Sequence, residues 1–194
     1  MRRIVLCTAV LFSISFLSVA LAQDEQKNQA EQMKLWEEYM TPSSFHKDMA
    51  KMEGKWKVHT KYWMDPSQAP MESDGTAEFQ MILGGRYLKS ETKSTMNNMP
   101  FEGFELEGYD NAKKVITAVW VDNFGTGTMV MNGTYDGEKN LITLSGSSYD
   151  PMSGKDLNFK QLVSTSDENK VHMEMYLVSD KGDVKVMEAD YNRE

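Results

Sequence analysis

From Gly54 to Arg193 the side chains alternate in character with a period of two, and a turn signal interrupts them about every ten residues. A period of two is that of a β-strand, whose successive side chains point to opposite faces. The alternation predicts ten strands: Lys55–Met64, Thr76–Leu83, Arg86–Thr95, Glu102–Tyr109, Lys114–Asp122, Gly127–Tyr135, Asn140–Ser148, Asp156–Ser164, Lys170–Val178 and Val184–Asn192. Turn chemistry joins them, as in Gly84-Gly85, Asp110-Asn111, Asp136-Gly137, Ser153-Gly154 and Lys181-Gly182-Asp183. Three turns open on the same pair, Tyr109-Asp110, Tyr135-Asp136 and Tyr149-Asp150, where the aspartate can accept a backbone N–H two residues on. Connections this short make neighbours antiparallel, and closing the meander removes its exposed edges. The expected fold is all-β, an antiparallel up-and-down β-barrel of eight to ten strands.

In the first strand Trp56, Val58, Thr60, Tyr62 and Met64 share one face, opposite Lys55, Lys57, His59 and Lys61. Ala77, Phe79 and Met81 continue the inward set, as do Ile142 and Leu144, and Val171, Met173, Met175 and Leu177. The run Val115–Trp120 is apolar on both faces, so its outer wall is expected to lie under upstream helices. Upstream of Gly54 the period becomes helical. Met33, Trp36 and Met40 form one stripe; Phe45, Met49 and Met52 form a second after a start signal at Thr41-Pro42. One or two short N-terminal helices are expected in residues 23–52, ahead of a single barrel domain in residues 53–194.

The chain opens with two arginines, an apolar run from Ile4 to Leu21 and small residues at Ala20 and Ala22, the layout of a signal peptide over residues 1–22. The mature protein is then expected in the periplasm or outside the cell. Cys7, the only cysteine, leaves with that segment, so no disulfide, thiolate nucleophile or cysteine metal site is expected. Loss of Arg2 and Arg3 makes a formal charge of −8 more acidic still, which disfavours nucleic acid as a partner. No second apolar run is long enough for a bilayer, so a soluble protein without membrane attachment is expected after cleavage.

The opening Gly54-Lys55-Trp56 resembles the Gly-x-Trp of lipocalin and fatty-acid-binding barrels, in which that tryptophan closes one barrel end under a basic residue of the last strand. The resemblance implies closure by Trp56 and Arg193. The strings MILGGRYL (Met81–Leu88), MPFEGFELEGYDNAKK (Met99–Lys114), MVMNGTYD (Met129–Asp136) and YDPMSGK (Tyr149–Lys155) resemble the bacterial family designated domain of unknown function 1579. That resemblance runs from about Met52 to Arg193. It implies an exported or cytosolic bacterial domain and carries over no catalytic residue.

Enzyme templates find no match. His46, His59 and His172 stand singly, with His59 and His172 expected on the surface, and neither a His-Glu-x-x-His helix nor a Gly-x-Ser-x-Gly elbow occurs. The glycine-rich Asn123–Thr128 joins two strands and reads as a hairpin loop, because a phosphate cradle needs a helix start behind it. Glu105 and Glu107 share a strand face as paired acids do in glycosidases; in a chain this acidic they are assigned to a solvated face. No catalytic residue, metal site or cofactor is expected.

Sixteen methionines include the pairs Met129-x-Met131 and Met173-x-Met175, whose thioethers share a strand face. Such sulfurs fill irregular apolar space, and outside the cytoplasm they can also hold Cu(I). Arg86 follows a Gly-Gly turn, placed either to brace it or to meet a ligand carboxylate at the barrel mouth. The expected function is noncatalytic binding of a small apolar or amphipathic molecule in the lumen, lined by Trp56, Thr60, Tyr62, Met64, Phe79, Met81, Arg86, Trp120, Met131, Met173 and Met175. Two alternatives stand beside it. One is a filled barrel acting as a structural or protein-interaction module through Trp36 and Trp63; the other is a methionine-based copper or oxidant buffer.

Overall fold

The structure is a computed structural model that describes residues 25–194. The signal peptide read over residues 1–22 lies outside the described residues. The chain divides into two units, Met1–Thr41 and Pro42–Glu194. In the first, residues 25–40 form helix α1, with Trp36 edge-on to Tyr39 at 5.9 Å and Met33 and Trp36 exposed.

Thr41 closes α1, its hydroxyl donating to the Glu37 carbonyl at 2.6 Å. The sequence placed Thr41 at the start of the next helix, but that start falls at Ser43. Helix α2 (Ser44–Ala50) begins where the backbone N–H of Ser43 donates to Nδ1 of His46 at 3.0 Å. Burial, reinforced by the charge of Arg86, lowers the pKa of His46, consistent with a neutral ring accepting that bond.

Ten strands follow: β1 (Gly54–Tyr62), β2 (Met71–Ile82), β3 (Tyr87–Met96), β4 (Met99–Asp110), β5 (Val115–Asp122), β6 (Met129–Asp136), β7 (Leu141–Asp150), β8 (Lys155–Asp167), β9 (Lys170–Leu177) and β10 (Val184–Arg193). They form a closed up-and-down barrel in chain order, and β1 pairs antiparallel with both β2 and β10. Two starts differ from the sequence reading by three residues or more. β2 begins at Met71 because Ser73, in a polar stretch resembling a turn, faces inward and donates to the Thr95 carbonyl at 2.8 Å. β4 begins at Met99, opposite Met96, because Asn97 and Asn98 both take positive φ and complete a two-residue hairpin.

The Tyr-Asp device recurs in three dimensions. Asp110 Oδ1 accepts the N–H groups of Ala112 and Lys113, Asp136 Oδ1 those of Glu138 and Lys139, and the Asp150 carboxylate those of Met152 and Ser153. Four residues after each aspartate the chain passes through positive φ, at Lys114, Asn140 and Gly154. All three carboxyls are held below the usual aspartate range, Asp136 first by a side-chain hydrogen bond from Lys139, Asp150 first by one from Ser153 and Asp110 by the Lys113 N–H, with the other backbone bonds adding to each.

Two apolar clusters form the core. Phe45 and Met49 of α2 pack with Leu88, Ile116, Ala118, Met131 and Leu144, covering the barrel end from β3 to β7, with Phe45 4.7 Å from the Tyr109 ring and 5.1 Å from Tyr135. Trp56, Val58, Ala77, Val171, Met173 and Ala189 form the second cluster, on the side where β1 meets β10. The helix covers an end of the barrel, not the outer wall expected from β5. There Phe104 opposes Val121 and Val119 opposes Val130, and Phe104, Val121 and Val130 remain exposed.

Candidate functional site: the barrel lumen

Trp56 and Arg193 face each other across β1 and β10, and the guanidinium lies 4.2 Å above the indole centroid. Its nitrogens donate to the carbonyls of Lys51 (2.5 Å), Glu53 (2.6 Å) and Glu168 (3.0 and 3.1 Å), and Trp56 Nε1 donates to the Met52 carbonyl at 2.9 Å. Three stretches of chain are thereby tied over one end. A side chain at Gly54, which has φ of 122°, would meet Arg193 at 3.1 Å, so a glycine suits the start of β1.

The lumen contains a cavity of about 1290 Å³. Its walls run from α2 to the loop Asn123–Thr128, the hairpin connection between β5 and β6 at the opposite end. At that mouth Phe101 stacks 6.3 Å from Trp120 and meets Phe124 edge-on at 5.3 Å. Gly103 makes the arrangement possible: a Cβ there would sit 2.4 Å from the Trp120 ring. Trp120 Nε1 donates to Asp122 at 2.8 Å.

Of the residues singled out by sequence, Thr60, Phe79, Trp120, Met131, Met173 and Met175 line this cavity. Trp56 does not, being fully buried beneath Arg193. Tyr62 is buried at the end of β1, where its hydroxyl donates to Asn97 at 3.1 Å, and Met81 packs beside the first core cluster. Met64 lies beyond the end of β1 and is 81% exposed. Arg86 is also outside the lumen: its guanidinium donates to the carbonyls of Leu83 (3.2 Å) and Gly84 (3.4 Å), bracing its own turn at the α2 end. His59 pairs with Asp74 at 2.8 Å and His172 with Asp190 at 2.7 Å, both away from the cavity lining.

The largest departure from the sequence reading concerns Glu105 and Glu107. Both line the cavity rather than a solvated face. Across the strands Glu105 is flanked by Ser90 and Trp120, Glu107 by buried Leu88 and Ala118. A water-sized molecule in the lumen can touch them, but protein surrounds them, and among the described residues neither carboxylate takes a hydrogen bond or an ion pair. Burial pushes the Glu105 carboxyl up to about 7, and burial with the neighbouring Glu105 charge pushes Glu107 up to about 8. From β10, enclosed Tyr191 also lines the lumen; burial and the charge of Glu105 raise its phenol.

These groups can donate or accept protons and hydrogen bonds, and in the ionised state they can hold a cation. Among the described residues, seven carboxylates line the cavity against one cationic side chain, Lys51, which Asp48 engages at 2.7 Å at the α2 end. Eight methionines give the remaining wall a deformable apolar character. No group of three or more His, Cys, Asp or Glu side chains is arranged to hold a metal among the described residues.

A family model described as Protein of unknown function (DUF1579) matches residues 41–193. The chain belongs to the DUF1579 family. The match takes in α2 with all ten strands, so the helix that covers the barrel end belongs to the DUF1579 domain. No curated protein matches the chain in sequence. Among solved structures, Rv2717c from M. tuberculosis is similar with a TM-score of 0.60 and 14% identity, covering 79% of this chain and 99% of that one. A redesigned β-barrel has a TM-score of 0.41 and 9% identity, covering 75% of this chain and 94% of the other. The likeness to Rv2717c is one of fold.

Proposed function

We propose that the barrel is a noncatalytic carrier or sensor that holds one small amphipathic molecule in its lumen, in a protein exported through residues 1–22. The observation that supports binding most strongly is the cavity of about 1290 Å³, within a barrel whose side chains otherwise pack in two buried clusters. Its wall combines eight methionines and several aromatic rings with polar groups that include Glu105, Glu107 and Tyr191, which suits a ligand with a hydrocarbon body and one polar end. Export is supported by the signal-like opening of the sequence.

The test is the native mass of protein purified from its own cells after expression with residues 1–22 attached. The expected spectrum shows a chain beginning at Gln23 with an organic mass that disappears on denaturation. A bare chain that also fails to take up any alkyl compound added afterwards would overturn the carrier reading, and retention of residues 1–22 would overturn cleavage. Copper in place of an organic mass would support the methionine-based alternative instead.

A further inference from the structure

The charge lining the lumen has the wrong sign for a fatty acid. A carboxylate ligand needs a guanidinium or ammonium to meet it. Arg193 is committed to four backbone hydrogen bonds and the Trp56 ring, Arg86 braces its turn outside the cavity, and Lys51 at the α2 end is engaged by Asp48. The middle of the lumen instead presents Glu105 and Glu107 from β4, with Tyr191 lining the cavity from β10.

We infer, building on the carrier reading, that the lumen selects a cationic amphiphile: a primary or secondary ammonium group on an apolar body, with its N–H groups directed to Glu105 and Glu107. Two observations on different strands support this. The glutamates line the cavity from one face of β4 with no hydrogen bond or ion pair among the described residues, and Tyr191 lines it from β10, its hydroxyl likewise without a hydrogen bond among those residues. An ammonium head carries donors for both carboxylates and a charge that offsets their mutual repulsion. The phenol oxygen of Tyr191 can accept a further N–H. The chain beyond the head group would run along the methionine and aromatic wall toward Trp120 and Phe101.

The experiment is calorimetric titration of the purified chain at pH 8 with decylammonium, decanol and decanoate, which share one hydrocarbon tail and differ in head group. Wild type is expected to bind decylammonium at least about tenfold tighter than decanol, as charge-assisted hydrogen bonds imply, with decanoate weakest. In Glu105→Gln/Glu107→Gln the preference for decylammonium over decanol should fall to about one, while decanol binding is retained and reports an intact lumen. Equal or tighter binding of decanol or decanoate by wild type would overturn the cationic selectivity and leave the carrier reading standing. Persistence of the ammonium preference in the double variant would overturn the role of the two glutamates. Failure of all three compounds to bind would overturn the carrier reading itself.

Discussion

At the α2 end, Trp56 is wholly buried under Arg193, Phe45 and Met49 are buried across β3 to β7, and four guanidinium hydrogen bonds reach three carbonyls in two separate stretches of backbone. At the opposite end, Phe124 is 46% exposed, Tyr149 63%, and the loop Asn123–Thr128 borders the cavity with two glycines. Both ends are rich in aromatic rings. The rings at the first are fixed by burial and by a cation held on backbone carbonyls, whereas those at the second gain less from burial and can be moved by a ligand at lower cost. A barrel that closes one end with its own side chains can leave the other for exchange with solvent.

The sharpest test of that contrast is a pair of truncations. Trp56→Ala removes a buried ring and its seat under Arg193 and should cost about 3–5 kcal/mol in denaturant unfolding. Phe124→Ala, at a half-exposed ring, should cost less than about 1 kcal/mol. Similar losses from the two would mean that the ends are equally built into the fold.

Between the ends, Glu105 and Glu107 should reduce stability once ionised. Their folded pKa values lie above the ordinary glutamate value, so between about pH 4.5 and 8 the native state holds more protons than the unfolded one and stability falls as pH rises. Glu105→Gln/Glu107→Gln should therefore raise stability by about 2 kcal/mol at pH 8, a figure reduced for lumen solvent, and by almost nothing at pH 4. Thermal melts of both proteins across that range provide the check, and a pH-independent difference would contradict unpaired, buried acids.

Smaller changes probe each end separately. Gly103→Ala places a methyl group against the Trp120 ring at the mouth, so Trp120 should shift, costing about 1 kcal/mol and changing tryptophan emission. An unchanged spectrum would mean that the ring is held elsewhere. At the closed end, Lys114 occupies the left-handed region, with φ of 58°, in the turn that follows Asp110. Lys114→Gly should raise stability by a few tenths of a kcal/mol, up to about 1, in the same unfolding assay.

The strands were legible because alternation and turn chemistry agree, and the three Tyr-Asp turns show that agreement in detail. Legibility failed where the lumen is polar. Ser73 hid the first half of β2, since an inward serine leaves no binary pattern to follow. β4 hid the glutamates, because Phe101, Glu105 and Tyr109 share one face while Phe104 and Leu106 share the other with Glu102, and neither face reads as core. The signal that resolves it lies next door. β5 is apolar on both faces, and the opposition of Val121 and Val119 to Phe104 and Leu106 puts the apolar set of β4 on the outer wall and its glutamates inside. Burial of Met49 and exposure of Met64 depend on which loops and helices reach the barrel end, information that alternation along a strand does not contain.

The central claim is that the lumen, rather than the outer surface, receives the ligand. Thr92 lines the cavity from the middle of β3, opposite Gly103 and one inward position from the Ser90–Glu105 pair, and Thr92→Trp would fill lumen space there. The most direct measurement is fluorescence titration with N-phenyl-1-naphthylamine, an apolar aromatic amine, on wild type and on this variant. Saturable binding to one site in wild type, lost in a Thr92→Trp protein that melts as a folded barrel, is the predicted result. Equal binding by the two folded proteins would place the probe on the exterior and contradict the account.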